Sequence, residues 1–242
     1  MEAIKTVDLT KMYGDTVAVD RLNLCIEQGQ VLALLGINGA GKTTTVKMLS
    51  CLVRPTAGDA FVGGKSILRE SLAVKEMIGV SPQETAVAPN LTVQENLELI
   101  CGIHAFSKEK SKQKLAELSD RFQLHPVLGK RAGKLSGGWQ RRVSIAMALI
   151  SEPAILFLDE PTLGLDVVAR SQLWDVIRAL KGQVTMILTT HDMQEAQALS
   201  DRIGIMKSGK LLFVGTASAL LEQTGAGNFE DAFISIAKEG EV

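Results

Sequence analysis

The strongest constraint on this chain is one run of eight residues, Gly36-Ile37-Asn38-Gly39-Ala40-Gly41-Lys42-Thr43, which fits the pattern G-x-x-x-x-G-K-[ST]. An unbroken apolar stretch, Val31 to Leu35, precedes it, and a segment suited to a helix starts near Lys42. In a strand–loop–helix setting, the loop N–H groups converge on anionic oxygens and the helix N-terminus adds partial positive charge. Gly36, Asn38, Gly39, Ala40 and Gly41 would form the cradle, and Lys42 would reach the terminal phosphates. Thr43 would place its hydroxyl on Mg²⁺, and Thr44 would add a phosphate contact. Alone, the loop specifies a nucleoside triphosphate and no particular reaction.

Two more apolar strands end in chemistry. Ala154 to Leu158 runs into Asp159-Glu160-Pro161, and Val184 to Leu188 runs into Thr189-Thr190-His191-Asp192. Open α/β sheets bind ligands at the carboxyl ends of their strands. Asp159 is expected to hold Mg²⁺, and Glu160 to act as the base that polarises an attacking water. His191 is expected at the same edge, donating to a γ-phosphate and keeping Glu160 in register. His104 and His125 have no comparable setting and read as surface residues.

A second anion-seeking feature lies elsewhere. Leu135-Ser136-Gly137-Gly138-Trp139-Gln140-Arg141-Arg142 opens an amphipathic helix with Val143, Ala146, Met147 and Ile150 on its apolar stripe. Ser136 suits the N-cap. The first turns carry no acid, although helix N-termini favour one, and Arg141 and Arg142 add positive charge. Paired glycines cost helix propensity, so a phosphate packed on bare backbone is the reading that explains them. One phosphate loop already fills one site, so this tip is expected to cap a triphosphate held by a second copy.

The 242 residues allow one large domain or a core with a lobe. A formal net charge of -1 argues against broad electrostatic binding to nucleic acid. The start of the chain does not read as a secretory signal, and no run of about 18 apolar residues exists to span a bilayer. The three cysteines, Cys25, Cys51 and Cys101, include no CxxC pair; Cys25 and Cys51 read as buried reduced thiols in apolar surroundings.

Along the chain, Leu22, Leu24 and Ile26 alternate as one half-buried strand, and residues 56–64 suit a β-turn region. Thr92 and Glu95 form a capping box, and Leu115, Leu118 and Phe122 have helical spacing. A helix is expected over about 168–181 and a hairpin over 203–214. The expected fold class is α/β: a P-loop NTPase core with a mostly parallel sheet, an antiparallel β subdomain and an inserted α-helical lobe. The core with its β subdomain is assigned to residues 1–84 and 150–215, the lobe to 85–149, and a C-terminal helical tail to 216–242.

The order of these elements resembles the ATP-binding cassette (ABC) family. The resemblance rests on the loop at 36–43, Gln83 after an apolar strand, Leu135-Ser136-Gly137-Gly138, Asp159-Glu160, Gly164-Leu165-Asp166 and His191, and covers roughly residues 2–215. It implies an ATPase subunit of a transporter, with ATP and Mg²⁺ as ligands and two ATP molecules sandwiched in a head-to-tail dimer. The second nucleotide-binding subunit can be identical or different. A separate transmembrane permease would supply the membrane contact at the cytoplasmic face, and no nucleic acid is implied. Tyr13 then looks like the aromatic that stacks on adenine, Gln83 like a residue reaching Mg²⁺ and sensing the lobe, and Asp166 like a link between the two sites. Trp139 stands where the family usually has glutamine. The chain is most similar to exporter-type cassettes for drugs, lipids or polysaccharides. A nucleic-acid-associated ATPase is the main competing class, but residues 83–136 carry no sustained heptads. A GTPase switch would need an Asn-Lys-x-Asp motif, which is not present.

Overall fold

The computed structural model describes residues 1–239, so the last three residues of the expected tail lie outside the described residues. The chain opens with β1 (Glu2–Tyr13), β2 (Thr16–Leu22), β3 (Cys25–Glu27) and β4 (Val31–Leu35). The phosphate-type loop leads into α1 (Lys42–Leu49), followed by β5 (Ala57–Val62), β6 (Lys65–Ser66), α2 (Ser71–Glu76) and β7 (Ile78–Ser81). Three helices come next: α3 (Val93–Ile103), α4 (Lys108–Arg121) and α5 (Gly137–Leu149). The chain then alternates through β8 (Ile155–Asp159), α6 (Val167–Arg178), β9 (Thr185–Thr190) and α7 (Met193–Leu199). It closes with β10 (Arg202–Lys207), β11 (Lys210–Gly215), α8 (Ala217–Thr224) and α9 (Phe229–Glu239).

The central six-stranded sheet has the order β11-β10-β4-β9-β8-β7. Every neighbouring pair is parallel except β10–β11, which is the expected antiparallel hairpin. β4 shows why its sequence is apolar throughout. Val31, Ala33 and Leu35 join one hydrophobic cluster, whereas Leu32 and Leu34 join another on the opposite face. A strand covered on both sides has no polar face to present. One cover is α1 with an antiparallel sheet of order β2-β1-β5-β6; the other is built from α3 to α9.

Three expectations are corrected. Leu22, Leu24 and Ile26 are all buried, but they do not share one strand. Pairing breaks between β2 and β3, where Arg21 has φ 42 and Asn23 turns its amide onto the Arg21 carbonyl at 3.1 Å. The Thr6 hydroxyl bridges the gap, donating to Leu22 O and accepting from Leu24 N, each at 2.8 Å. Residues 56–64 are mostly the strand β5, and only Gly63-Gly64 turns the chain into β6. Cys25 and Cys51 are half-buried, and only Cys101 is buried. Cys25 lies on the partly exposed edge of β3, where its thiol donates to Glu2 at 3.4 Å.

Of the remaining expectations, most are met and one helix is shorter than expected. The capping box is complete: Glu95 N donates to Thr92 Oγ1 at 3.2 Å, and Thr92 N donates to Glu95 Oε2 at 2.7 Å. The helix expected over 168–181 ends earlier, at Arg178. The tail consists of two helices parted at Gly225, and α9 buries Phe229, Ala232 and Ile236. No helix among the described residues is long and apolar enough to cross a membrane.

Candidate active site

The β4–α1 loop, the ends of β8 and β9, and the turn between β1 and β2 enclose a cleft of about 540 Å³. Its walls include Tyr13, Asn38 to Thr44, Gln83, Glu160 and His191. Register explains the convergence. Parallel pairing sets Leu35 beside Thr190 and Asp159 beside Thr189, so the loop, the acids and the histidine leave the sheet at one edge. Gly41 is required by its neighbours: its φ is 103°, and a Cβ there would stand 2.5 Å from the Ala18 carbonyl oxygen.

Lys42 is buried. Its ammonium donates to Gly36 O at 2.7 Å and to Ile37 O at 3.3 Å, and lies 3.3 Å from Glu160 Oε1. The other Glu160 oxygen lies 2.8 Å from His191 Nδ1. Glu160 has φ 47, a left-handed backbone that non-glycine residues rarely adopt. Its N–H donates to Thr189 O at 3.1 Å and to Thr189 Oγ1 at 3.0 Å, which holds that conformation. The Thr189 hydroxyl in turn donates to Asp159 Oδ1, the oxygen that also accepts from Thr43 Oγ1 at 3.0 Å. Thr43, Asp159 and the nearby Gln83 offer hard oxygen donors of the kind Mg²⁺ takes. Among the described residues no cluster of three or more His, Cys, Asp or Glu side chains offers an alternative cage.

The Ser136–Gly138 tip does not line this cleft. Ser136 occupies the N-cap position with φ -62 and ψ 157, but its side chain makes no cap hydrogen bond. The tip packs beside the start of α6, where a Cβ on Gly138 would stand 3.0 Å from the Ala169 Cβ. Asp166 is the N-cap of α6, its carboxylate accepting from Val168 N and Ala169 N at 2.9 Å each. Val167 and Val168, at the start of α6, are exposed. The expected charge at the tip is corrected. Arg141 and Arg142 are both buried, because their guanidinium groups turn inward to satisfy oxygens of other elements.

The sequence model described as ABC transporter matches residues 19–163. The chain belongs to the ABC transporter family. The daunorubicin resistance ATP-binding protein DrrA3 of Streptomyces coeruleorubidus is 43% identical over 222 residues, 91% of this chain and 70% of that protein. The phospholipid-transporting ATPase ABCA3 of Homo sapiens is 39% identical over 228 residues, which make up 93% of this chain but 13% of that one. A solved ATP-binding subunit of an ABC transporter superposes with a TM-score of 0.86 at 25% identity, covering 97% of this chain and 99% of its own. A dimeric ATP-binding cassette in a post-hydrolysis state with ADP and Pi gives a TM-score of 0.80 at 28% identity, covering 88% and 98%. This chain is an ATP-hydrolysing cassette of that family.

Several residues of this cassette escape sequence reading. Thr16, Val17, Ala18 and Leu163 help line the cleft without a motif to mark them. Thr189 organises both acids, and its only signal was its place at the end of β9. Glu195 of α7 is buried, accepting from Thr162 Oγ1 at 2.7 Å and from Trp174 Nε1 at 3.3 Å; burial pushes its carboxyl pKa up. It ties the turn after Glu160 to the helix after His191. Arg170 of α6 pairs with Asp192 at 2.8 Å across the same seam. Trp139, where the family usually has glutamine, is partly buried, with the Arg142 guanidinium 4.9 Å from its ring centroid. Arg142 then donates to Gln172 of α6 at 2.8 Å, so Trp139 helps anchor the tip to its neighbouring helix.

Proposed function

We propose that two copies of this cassette, or this cassette and a related one, clamp two ATP molecules head to tail and drive a separate membrane permease. The observation that carries this reading is the division of phosphate-binding groups between two surfaces. Lys42, Thr43 and the strand-end residues lie in the cleft, whereas Ser136 to Gly138 present a helix N-terminus with an uncommitted cap hydroxyl outside it. A second chain is the simplest source of the triphosphate that such a tip would bind.

In the cleft, the loop N–H groups and Lys42 would hold the β- and γ-phosphates, with Tyr13, about half exposed at the end of β1, stacked on adenine. Thr43, Asp159 and Gln83 would hold Mg²⁺, which when bound neutralises charge on the phosphate oxygens. Glu160 takes a proton from water as the water oxygen bonds to the γ-phosphorus. The bond from that phosphorus to the β–γ bridging oxygen breaks, giving ADP and phosphate. His191, with Nδ1 on Glu160, would fix the carboxylate and present Nε2 to the γ-phosphate. Asp166, on the surface shared with the tip, would link the two sites. Hydrolysis splits the anion that joins the two chains, so the dimer opens.

Export of an amphipathic drug-like or lipid-like solute from the cytoplasmic face is supported by the names of the relatives, a daunorubicin resistance protein and a phospholipid-transporting ATPase. The core of residues 1–84 and 150–215 would grip nucleotide, and the 85–149 lobe would carry motion to the permease. The dimer is tested by light scattering on Glu160→Gln, which keeps shape and removes the base. ATP should double its mass and ADP should not; a monomer that binds ATP at saturation would refute the sandwich.

A further inference from the structure

The Ser136–Gly138 tip does not line the nucleotide cleft, yet the structure joins the two by a short covalent and hydrogen-bonded route. The tip opens α5, and Arg141 lies about one turn further along that helix. Its side chain is only 5% exposed. Nη1 donates to Pro82 O at 2.6 Å, and Nη2 donates to Gln83 O at 2.7 Å. Gln83 lines the cleft. About one turn beyond Arg141, the Ser144 hydroxyl meets the Ser81 hydroxyl at 2.9 Å, so one face of α5 is fastened along the end of β7.

The chemistry of this clamp is specific. A buried guanidinium normally meets a carboxylate, but no ion pair is formed by Arg141 among the described residues. Its two terminal nitrogens serve consecutive main-chain carbonyls instead. A planar fork holding two acceptors resists rotation of either partner, whereas a lysine could hold only one point at a time. Burial lowers the Arg141 pKa, and the negative charge of Asp159 and Glu195 offsets only part of that effect.

We infer that Arg141 is a positioning residue that moves the Gln83 loop and the Ser136–Gly138 tip as one body, so nucleotide in a subunit's own cleft sets the tip it offers to the other subunit's ATP. The inference rests on the proposed dimer. If Gln83 moves to engage the Mg²⁺ of a bound triphosphate, its backbone would carry Arg141, and Arg141 would carry α5. The glycines at the tip have no side chain to reach back into the cleft, so the buried Arg141 fork is a route by which they register its state.

The test places Arg141→Met and Arg141→Lys in the Glu160→Gln chain and measures two quantities. The first is affinity for a fluorescent ADP analogue, which reports the cleft of a single subunit. The second is the ATP concentration that gives half-maximal dimer by light scattering. The methionine variant should keep its ADP affinity while needing about tenfold more ATP to dimerise, a size typical of coupling between linked sites. The lysine variant, which retains charge and one hydrogen bond, should fall between. An unchanged dimerisation midpoint in both variants would overturn the inference. So would a parallel loss of ADP affinity and dimer, which would make Arg141 a support of the fold alone. If Glu160→Gln with Arg141 intact fails to dimerise, the sandwich itself fails, and that result is visible before any Arg141 variant is made.

Discussion

Glu160 and Glu195 show how two carboxyl groups in one fold take opposite tasks. Glu160 faces the cleft between Lys42 and His191, its backbone held by Thr189. Glu160→Gln should lower steady-state phosphate release by about 10²-fold or more, the usual worth of a positioned base, while nucleotide still binds. Unchanged release would remove Glu160 from the base role. Glu195 faces no ligand; burial raises its pKa above the ordinary 4.5. Below that value it is protonated in folded and unfolded chains alike. Between the ordinary and the raised value the folded chain holds the extra proton, so stability falls as pH rises through this window. Glu195→Gln keeps an acceptor for Thr162 and Trp174 and has no proton to lose. Its melting midpoint, relative to the parent, should climb with pH from about 4.5 upward in calorimetry; a constant difference would show that Glu195 does not titrate in this way. Gly41 tests geometry: Gly41→Ala would force a Cβ onto the Ala18 carbonyl at φ 103°. About 1–3 kcal/mol of strain should weaken nucleotide binding in a fluorescence titration, and an unaffected titration would show the loop to be more pliable than drawn.

At the scale of elements, legibility followed from whether the determining contacts were local. The α3 capping box was readable because both partners lie within one turn, Thr92 with Glu95. Thr92→Ala should cost about 1 kcal/mol in denaturant unfolding and leave ATP turnover intact; no loss of stability would mean that α3 is held wholly by packing. The β2–β3 break was not readable, because the hydroxyl that spans it belongs to Thr6 on β1. Alternation of Leu22, Leu24 and Ile26 survived the break, so the pattern reported burial correctly and continuity wrongly. α2 is six residues with one buried side chain, Val74, too short for a periodic stripe to show. Arg141 and Arg142 were expected to add positive charge at the tip, and their burial was not readable because their acceptors come from distant segments: Pro82 and Gln83 for the first, Gln123 and Gln172 for the second.

For the whole molecule, sequence motifs named the chemistry because phosphate binding demands a fixed backbone path, and glycine spacing records it. They also implied that the cleft and the helix tip serve different ATP molecules; Ser136 to Gly138 are not among the residues that line the cleft. The most direct test of the two-chain grip mixes a pair of inactive variants. Lys42→Ala spoils the loop but keeps the tip; Ser136→Arg spoils the tip but keeps the loop. A mixed dimer contains one complete site, built from the Ser136→Arg chain's loop and the Lys42→Ala chain's tip. ATP hydrolysis should be near background for each variant alone and should return when the two are combined. A mixture as inactive as its components, although both bind each other, would contradict a triphosphate held between two chains.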